Sequence, residues 1–177
     1  MVQNTAVESL IDSFERGLIN GRARWVADLS EFIRRFRIRE TTFDLYAKGR
    51  TRNRGMLISR FFAWSVLPDY NVALLCVNGG RGGAFSMDRM RSLTADALSF
   101  VERDGLQWVW LVILLTGPLP SAVVAFVERY ERKELGVAVA SVTTGQTSTS
   151  SNKIGTSIPG HLGLGKLIER ASHGEAV

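Results

Sequence analysis

Three apolar runs, separated by segments with helical spacing, constrain this chain more than any other feature of its sequence. They are Val-Ala-Leu-Leu-Cys-Val at 72–77, the longer run at 108–115, and the shorter Val-Ala-Val-Ala at 137–140. Each connection holds one amphipathic segment, and this rhythm is typical of parallel strands joined by right-handed crossovers. The sequence therefore predicts an α/β fold: a small, mostly parallel sheet of three to five strands flanked by helices.

The connecting segments carry recognisable helix boundaries. Ser86 is placed to cap the first, which ends at Asp104-Gly105, and Pro120 stands at the start of the second, where proline is tolerated. After the third run, Gly145-Gln146 is placed to turn a hairpin and add an antiparallel edge strand. The tail at 154–171 is expected to be mostly helical.

The N-terminal part is predicted to be helical. Thr5 is expected to open a first helix that ends at Asn20-Gly21, and a second is expected over 22–36, from the spacing of Val26, Leu29, Ile33 and Phe36. The alternating segments 35–39 and 42–46 fit either short strands or helix ends. A loop at 48–55 and a helix at 55–66 complete an Arg-rich, helical part at 1–67, beside an α/β core with a helical tail at 68–177, together one compact domain.

Composition limits the class of protein. Apolar residues make up 45 % of 177, enough for a sizeable core. The single cysteine, Cys76, lies in an apolar run, and the N-terminus lacks the pattern of a signal peptide, so a cytoplasmic setting is expected. Residues 106–127 are uncharged, but Gly117-Pro118-Leu119-Pro120 interrupts them, which favours a strand, a turn and a helix over a membrane span.

Charge is distributed unevenly along the chain. Residues 22–60 hold 11 cations and four acids, a net of +7, and the remainder holds 11 cations and 13 acids, a net of −2. Such density is typical of proteins that bind phosphate backbones, although a solvated face paired with acids elsewhere would look the same. The candidate nucleic-acid-binding residues are Arg34, Arg35, Arg37, Arg39, Lys48, Arg50, Arg52, Arg54 and Arg60.

A second candidate site is the glycine-rich turn after the first apolar run. Backbone amides there, next to a helix N-terminus, would suit a phosphate group. The dinucleotide pattern is incomplete, because Phe85 occupies the place of its third glycine, and a flexible turn that needs positive φ angles is the favoured explanation of the glycines. The turn comprises Asn78, Gly79, Gly80, Arg81, Gly82 and Gly83.

No catalytic or metal-binding constellation emerges. The G-x-x-x-x-G-K at 160–166 is followed by Leu167 instead of Ser or Thr and has no buried strand before it, so it is not a P-loop. His161 and His173 are the only histidines. We therefore assign no catalytic residues, no metal ligands and no cofactor.

The order of elements in residues 55–141 resembles the restriction-endonuclease-like PD-(D/E)XK fold. In that family an Asp and a Glu-x-Lys on the central hairpin hold Mg²⁺. The matching strand here, 72–78, contains neither acid nor lysine, although Asp69 precedes it. The resemblance therefore implies a catalytically inactive relative that binds nucleic acid or acts as a scaffold.

Three functions remain open from the sequence. The first is a non-catalytic nucleic-acid-binding protein that grips phosphates with its Arg-rich region. The second is an interaction module that docks on an acidic protein or on a second copy of itself, with the Thr/Ser-rich edge after Val142 pairing with another sheet. The third is a small-molecule or nucleotide enzyme that uses the glycine-rich turn.

Overall fold

The computed structural model describes residues 2–51, 70–81 and 84–173, and within them the chain forms one six-stranded sheet. The strands are β1 Ala27–Ile38, β2 Thr41–Thr51, β3 Asn71–Asn78, β4 Trp108–Leu115, β5 Leu135–Ser141 and β6 Thr147–Thr149. The helices are α1 Val2–Ile19, α2 Met87–Arg103, α3 Ser121–Glu128, α4 Lys153–His161 and α5 Leu164–Ser172, and a short 3₁₀ helix spans Arg22–Trp25.

The strands lie side by side in the order in which they occur along the chain. β3, β4 and β5 are parallel, whereas β1–β2, β2–β3 and β5–β6 are antiparallel. The α/β class, the three central strands and the edge strand after Gly145-Gln146 are thus confirmed. The prediction of a mostly parallel sheet of three to five strands is wrong, because two long strands from the N-terminal part join it.

The helix predicted over 22–36 is also wrong. Only its first residues are helical, and Ala27–Ile38 is a strand that pairs with β2. Two irregularities explain why the spacing of the apolar residues did not predict this strand. A bulge between Leu29 and Glu31 shifts the register, and Arg35 adopts a left-handed backbone with φ of 55°. Together they spread the apolar residues over steps of three and four, which imitates a helix face.

The first helix begins three residues before the expected Thr5 and ends at Ile19, directly before the predicted Asn20-Gly21, where Gly21 has a φ of 87°. The predicted loop at 48–55 is strand as far as Thr51, and the predicted helix at 55–66 lies outside the described residues. The ambiguous segments 35–39 and 42–46 fall at the hairpin that joins β1 to β2. The N-terminal part up to Thr51 therefore consists of a helical first half and a second half that is strand.

Each face of the sheet is covered by its own helices. The core on one face contains Phe14 of α1, Ile158 of α4 and Leu167 of α5, packed against strand residues such as Leu74 and Trp110. The core on the other face contains residues of α2 and α3, among them Phe100 and Val123. The strand residues alternate between the two cores, which explains why β3, β4 and β5 are apolar throughout.

No helix of the described residues is long and apolar enough to cross a membrane. The uncharged segment 106–127 forms β4, a turn and α3, as its glycine and prolines predict.

Candidate nucleic-acid interface

The glycine-rich turn after β3 is closed by its own hydrogen bonds. The backbone N–H of Gly79 donates to the carbonyl of Leu114 at 2.8 Å, and that of Gly80 donates to Oδ1 of Asn78 at 3.0 Å. The N–H of Arg81 reaches the Asn78 carbonyl at 3.5 Å. These three amides are therefore committed inside the protein and are poorly placed to cradle a phosphate; Gly82 and Gly83 lie outside the described residues.

Gly79 is required by close packing. A Cβ atom there would lie 2.5 Å from Cδ2 of Leu115 and 2.9 Å from the Phe85 ring. This position has no positive φ angle, so the conformational explanation of this glycine does not apply to it. The turn is thus built to bring the chain tightly over the end of β4.

The described sheet also lacks the crevice that binds nucleotides in doubly wound folds. That crevice forms where the strand order reverses and the helices change faces. Here the strands follow chain order, and α2 and α3 pack on the same face. This topology gives the nucleotide-enzyme hypothesis no support within the described residues.

The same turn delivers Arg81 to a buried carboxylate. Asp44 of β2 is only 6 % exposed and accepts a hydrogen bond from the backbone N–H of Asn78 at 2.6 Å. The guanidinium of Arg81 contacts Asp44 and also pairs with Glu8 of α1 at 2.9 Å. Arg81 therefore ties together β2, the end of β3 and α1, with one carboxylate fixed beneath it.

Arg34 forms ion pairs with two acidic residues of α1. Its guanidinium pairs with Asp12 and Glu15, each at 2.5 Å. Burial alone would lower the pKa of Arg34, but the hydrogen bonds and charges of Glu15 and Asp12 raise it above its ordinary value. This arginine fastens α1 to the sheet, so its role is structural.

The tip of the β1–β2 hairpin docks on α2. Thr41 donates a hydrogen bond to Asp96 at 2.5 Å, and Arg39 lies 3.8 Å from the other oxygen of that carboxylate. Arg37 donates to the backbone carbonyl of Arg39 at 2.9 Å and approaches Glu40 at 3.4 Å. The hairpin thus places Arg39, with Arg37 beside it, next to the middle of α2.

Three arginines from separate parts of the chain meet at this edge of the sheet, and we refer to Arg35, Arg81 and Arg89 as the arginine stripe. Arg35 and Arg81 line a depression of about 370 Å³. Arg81 and Arg89 line a second depression of about 340 Å³. Arg81 belongs to both, so it connects a depression beside α1, on one face of the sheet, with a depression beside α2, on the other face.

The ends of the arginine stripe are free of acidic partners. Among the described residues, neither Arg35 nor Arg89 forms an ion pair with a carboxylate. Arg89 donates to the backbone carbonyl of Arg81, and its guanidinium lies 6.0 Å from the Phe85 ring centroid. Hydroxyls of Thr41, Thr42 and Ser92 line the depression beside it.

The predicted basic residues do not form one face. Lys48 and Arg50 lie at the far end of the hairpin, where they stand opposite Glu31 and Asp28. Lys48 is six residues along β2 from Thr42, which pairs with Arg37, and this corresponds to about 20 Å of strand. Arg52, Arg54 and Arg60 lie outside the described residues.

Arg89 was missed by sequence reasoning, although a signal was available. In a strand–turn–helix unit, the first turn of the helix lies at the same edge as the carboxyl end of the strand, so a cation there adjoins the turn. Counting charge along the chain excluded Arg89 because residues 61–177 carry no net excess of cations.

Groups that could support metal or nucleophilic chemistry are scarce in the described residues. They contain no cluster of three His, Cys, Asp or Glu side chains suited to a metal ion. Cys76 is fully buried in the core, and burial raises the pKa of its thiol. Searches against protein-family models, curated proteins and solved structures found no match.

Proposed function

We propose that this protein binds nucleic acid without catalysing a reaction on it, through the arginine stripe and the adjoining Arg37 and Arg39. The observation that carries the proposal is the convergence of arginines from β1, from the turn after β3 and from α2 on two depressions that share Arg81. Guanidinium groups bind phosphate oxygens in a bidentate fashion, and several of them side by side suit a polymer of phosphates.

Three acids near the arginine stripe are compatible with this role, whereas Glu8 and Asp12, which line the same depression as Arg35, are more than half exposed and pair with Arg81 and Arg34. Asp44 and Asp96 are buried beneath Arg81 and Arg39, where they orient the guanidinium groups and do not compete for their solvent-facing sides. Glu40 is 95 % exposed, and its 3.4 Å pair with Arg37 is of the surface kind that contributes little free energy. A phosphate can replace such a partner at small cost.

We assign the proposed contacts to the phosphates and sugars of a strand and not to its bases. They consist of guanidinium groups and the hydroxyls of Thr42 and Ser92, which suit the phosphate and sugar parts of a strand. We therefore expect binding that depends strongly on salt and weakly on sequence.

A kinship with the PD-(D/E)XK fold is part of the same proposal. A catalytically inactive relative fits the local arrangement, because the guanidinium of Arg81 lies between Asp44 and Glu8 and already neutralises both carboxylates. Such a relative would still bind nucleic acid, while Asp44 and Glu8 would serve only to hold Arg81 in place.

The proposal is tested by removing the two unpaired arginines together. Arg35→Ala with Arg89→Ala should weaken binding of a labelled duplex and lower the slope of log affinity against log salt by about 0.9 for each lost contact. The matched control is Arg132→Ala with Arg129→Ala. It removes the same charge near the start of β5, at the amino ends of the parallel strands. Fluorescence anisotropy over a range of salt concentrations provides the measurement.

The control variant should have the same slope of log affinity against log salt concentration as the natural protein. Equal losses in both double variants would mean that net charge alone drives binding, and would remove the arginine stripe from the interface.

A further inference from the structure

The side of the sheet that ends in β6 carries a different surface. β6 is the last strand, and no described strand pairs with its outer side. Its pairing with β5 places hydrogen-bonded pairs at Ser141–Gln146 and Val137–Ser150. Because such pairs alternate in an antiparallel ladder, the backbone N–H and C=O groups of Thr147 and Thr149 point away from β5.

Ser148, between these two threonines, is buried without a hydrogen-bond partner. It is 7 % exposed, and its hydroxyl has no partner among the described residues. Its ladder position opposite Val139 directs it to the face covered by α3. There a depression of about 520 Å³ runs between α3 and β6, with the apolar Leu119, Val124 and Ala125 and the polar Ser121, Glu128, Gln146, Thr147 and Ser148 in its lining. An unpaired buried hydroxyl costs about 1–3 kcal/mol, so a partner for it would be stabilising.

The sequence around Ser148 is symmetric and uncharged. Thr147-Ser148-Thr149 reads the same in both directions, and no charged residue occurs from 135 to 152. A two-fold pairing centred on Ser148 would set Thr147 opposite Thr149 of the second copy, and each such pair would exchange two backbone hydrogen bonds. The two Ser148 residues would face each other with Cα atoms about 4.5 Å apart, where their hydroxyls can bond.

β1, at the other edge, is protected against such pairing. The bulge at Leu29/Glu31 and the left-handed Arg35 interrupt its ladder, and arginines occupy much of its second half. These features are typical of strand edges that resist association. β6 has no charge and no bulge.

We propose that the protein forms a two-fold dimer by antiparallel pairing of β6 with β6 of a second copy, so that one sheet continues through both subunits. Each Ser148 hydroxyl gains its missing partner from Ser148 of the second copy. The two α3 helices lie side by side on the same face and close the depressions between them, with Ala125 small enough to allow the approach.

The register of this dimer is tested by cysteine cross-linking. Ser148→Cys should form a disulfide-linked dimer on mild oxidation, because a Cα separation of about 4.5 Å falls within the range of disulfides. Gln146→Cys is the control: Gln146 is exposed, but in the proposed register it lies about 13 Å from Gln146 of the second copy. Cys76 is fully buried and does not compete.

A second pair of variants tests the same contact without cysteine. Thr149→Pro removes an N–H that points outward and should return the protein to its monomer mass of 19.6 kDa in sedimentation equilibrium. Thr149→Val keeps that N–H and should remain dimeric. A natural protein that is monomeric at all concentrations, a cross-link in Gln146→Cys that equals that of Ser148→Cys, or equal dimerisation of the two Thr149 variants would overturn the proposal.

Discussion

At the scale of single residues, Asp44 organises the edge of the sheet from which the arginines project. Its carboxylate is buried, accepts the Asn78 amide and holds Arg81, and Arg81 in turn reaches Glu8. In the sequence Asp44 is simply an acid in an alternating segment, with nothing to set it apart. Its importance comes from a contact between residues 37 positions apart, which no local pattern encodes.

Replacement of this carboxylate should destabilise the fold. Asp44→Asn leaves the Asn78 amide with a weaker acceptor and Arg81 without its buried partner, so we expect the free energy of unfolding to fall by about 1–3 kcal/mol. Urea denaturation measures the change. The control is Glu40→Gln, which removes an exposed carboxylate from the same surface and should alter stability by less than about 0.5 kcal/mol. Similar effects of the two variants would show that Asp44 has no special role.

Tyr46 links stability to alkaline pH. Its ring stacks on Phe36 with centroids 4.3 Å apart, and burial, with smaller contributions from Glu31 and Asp104, raises the pKa of its hydroxyl above the ordinary value. A raised pKa in the folded state contributes stability that is present below the unfolded pKa, about 10, and is lost as the pH rises beyond it.

The free energy of unfolding of the natural protein should therefore fall as the pH is raised above about 10. Tyr46→Phe should be less sensitive over the same range, because its ring has no proton to lose, while the raised pKa of Tyr130 leaves part of the slope in place. Urea denaturation at several alkaline pH values gives the change of unfolding free energy with pH for the natural protein and for Tyr46→Phe. Identical slopes would contradict the role assigned to Tyr46.

At the scale of elements, the central strands and their helices were predictable and the N-terminal hairpin was not. β3, β4 and β5 are continuous apolar runs, and Ser86 caps α2 as its position predicts, by accepting the Arg89 N–H at 3.2 Å. β1 is half exposed, bulged and rich in arginine. Its apolar residues therefore follow neither the two-residue alternation of a strand nor the 3.6-residue repeat of a helix. The tail was predicted as helical, and Gly163, with φ of 73°, divides it into α4 and α5.

The packing of α4 on β5 depends on a glycine. A Cβ atom at Gly136 would lie 2.5 Å from the backbone nitrogen of Gly155, and neither backbone can move without disturbing the sheet or the helix. We expect Gly136→Ala to lower the free energy of unfolding by about 1–3 kcal/mol, the usual cost of overpacking. Gly117→Ala is the control, since a Cβ atom there meets nothing within 4 Å. Thermal unfolding of both variants decides, and equal midpoints would contradict this account of the interface.

At the scale of the whole molecule, the distribution of charge along the chain gave only part of the candidate interface. The excess of cations in 22–60 pointed to the hairpin, and the structure divides that set between the two ends of the hairpin. Arg34 is used internally, whereas Arg81, from later in the chain, lines one depression with Arg35 and another with Arg89. Such grouping follows from sheet topology, and the topology became predictable only once β1 and β2 were recognised as strands.

The role that we propose for this surface is to bind the phosphates of nucleic acid. The most direct test is fluorescence anisotropy of labelled duplex and single-stranded oligonucleotides, titrated with the natural protein at low and at physiological salt. We predict measurable binding at low salt that weakens steeply as salt is added, with little dependence on sequence, because bound counterions are released when arginines contact phosphates. Absence of binding to either form at low salt would contradict the claim.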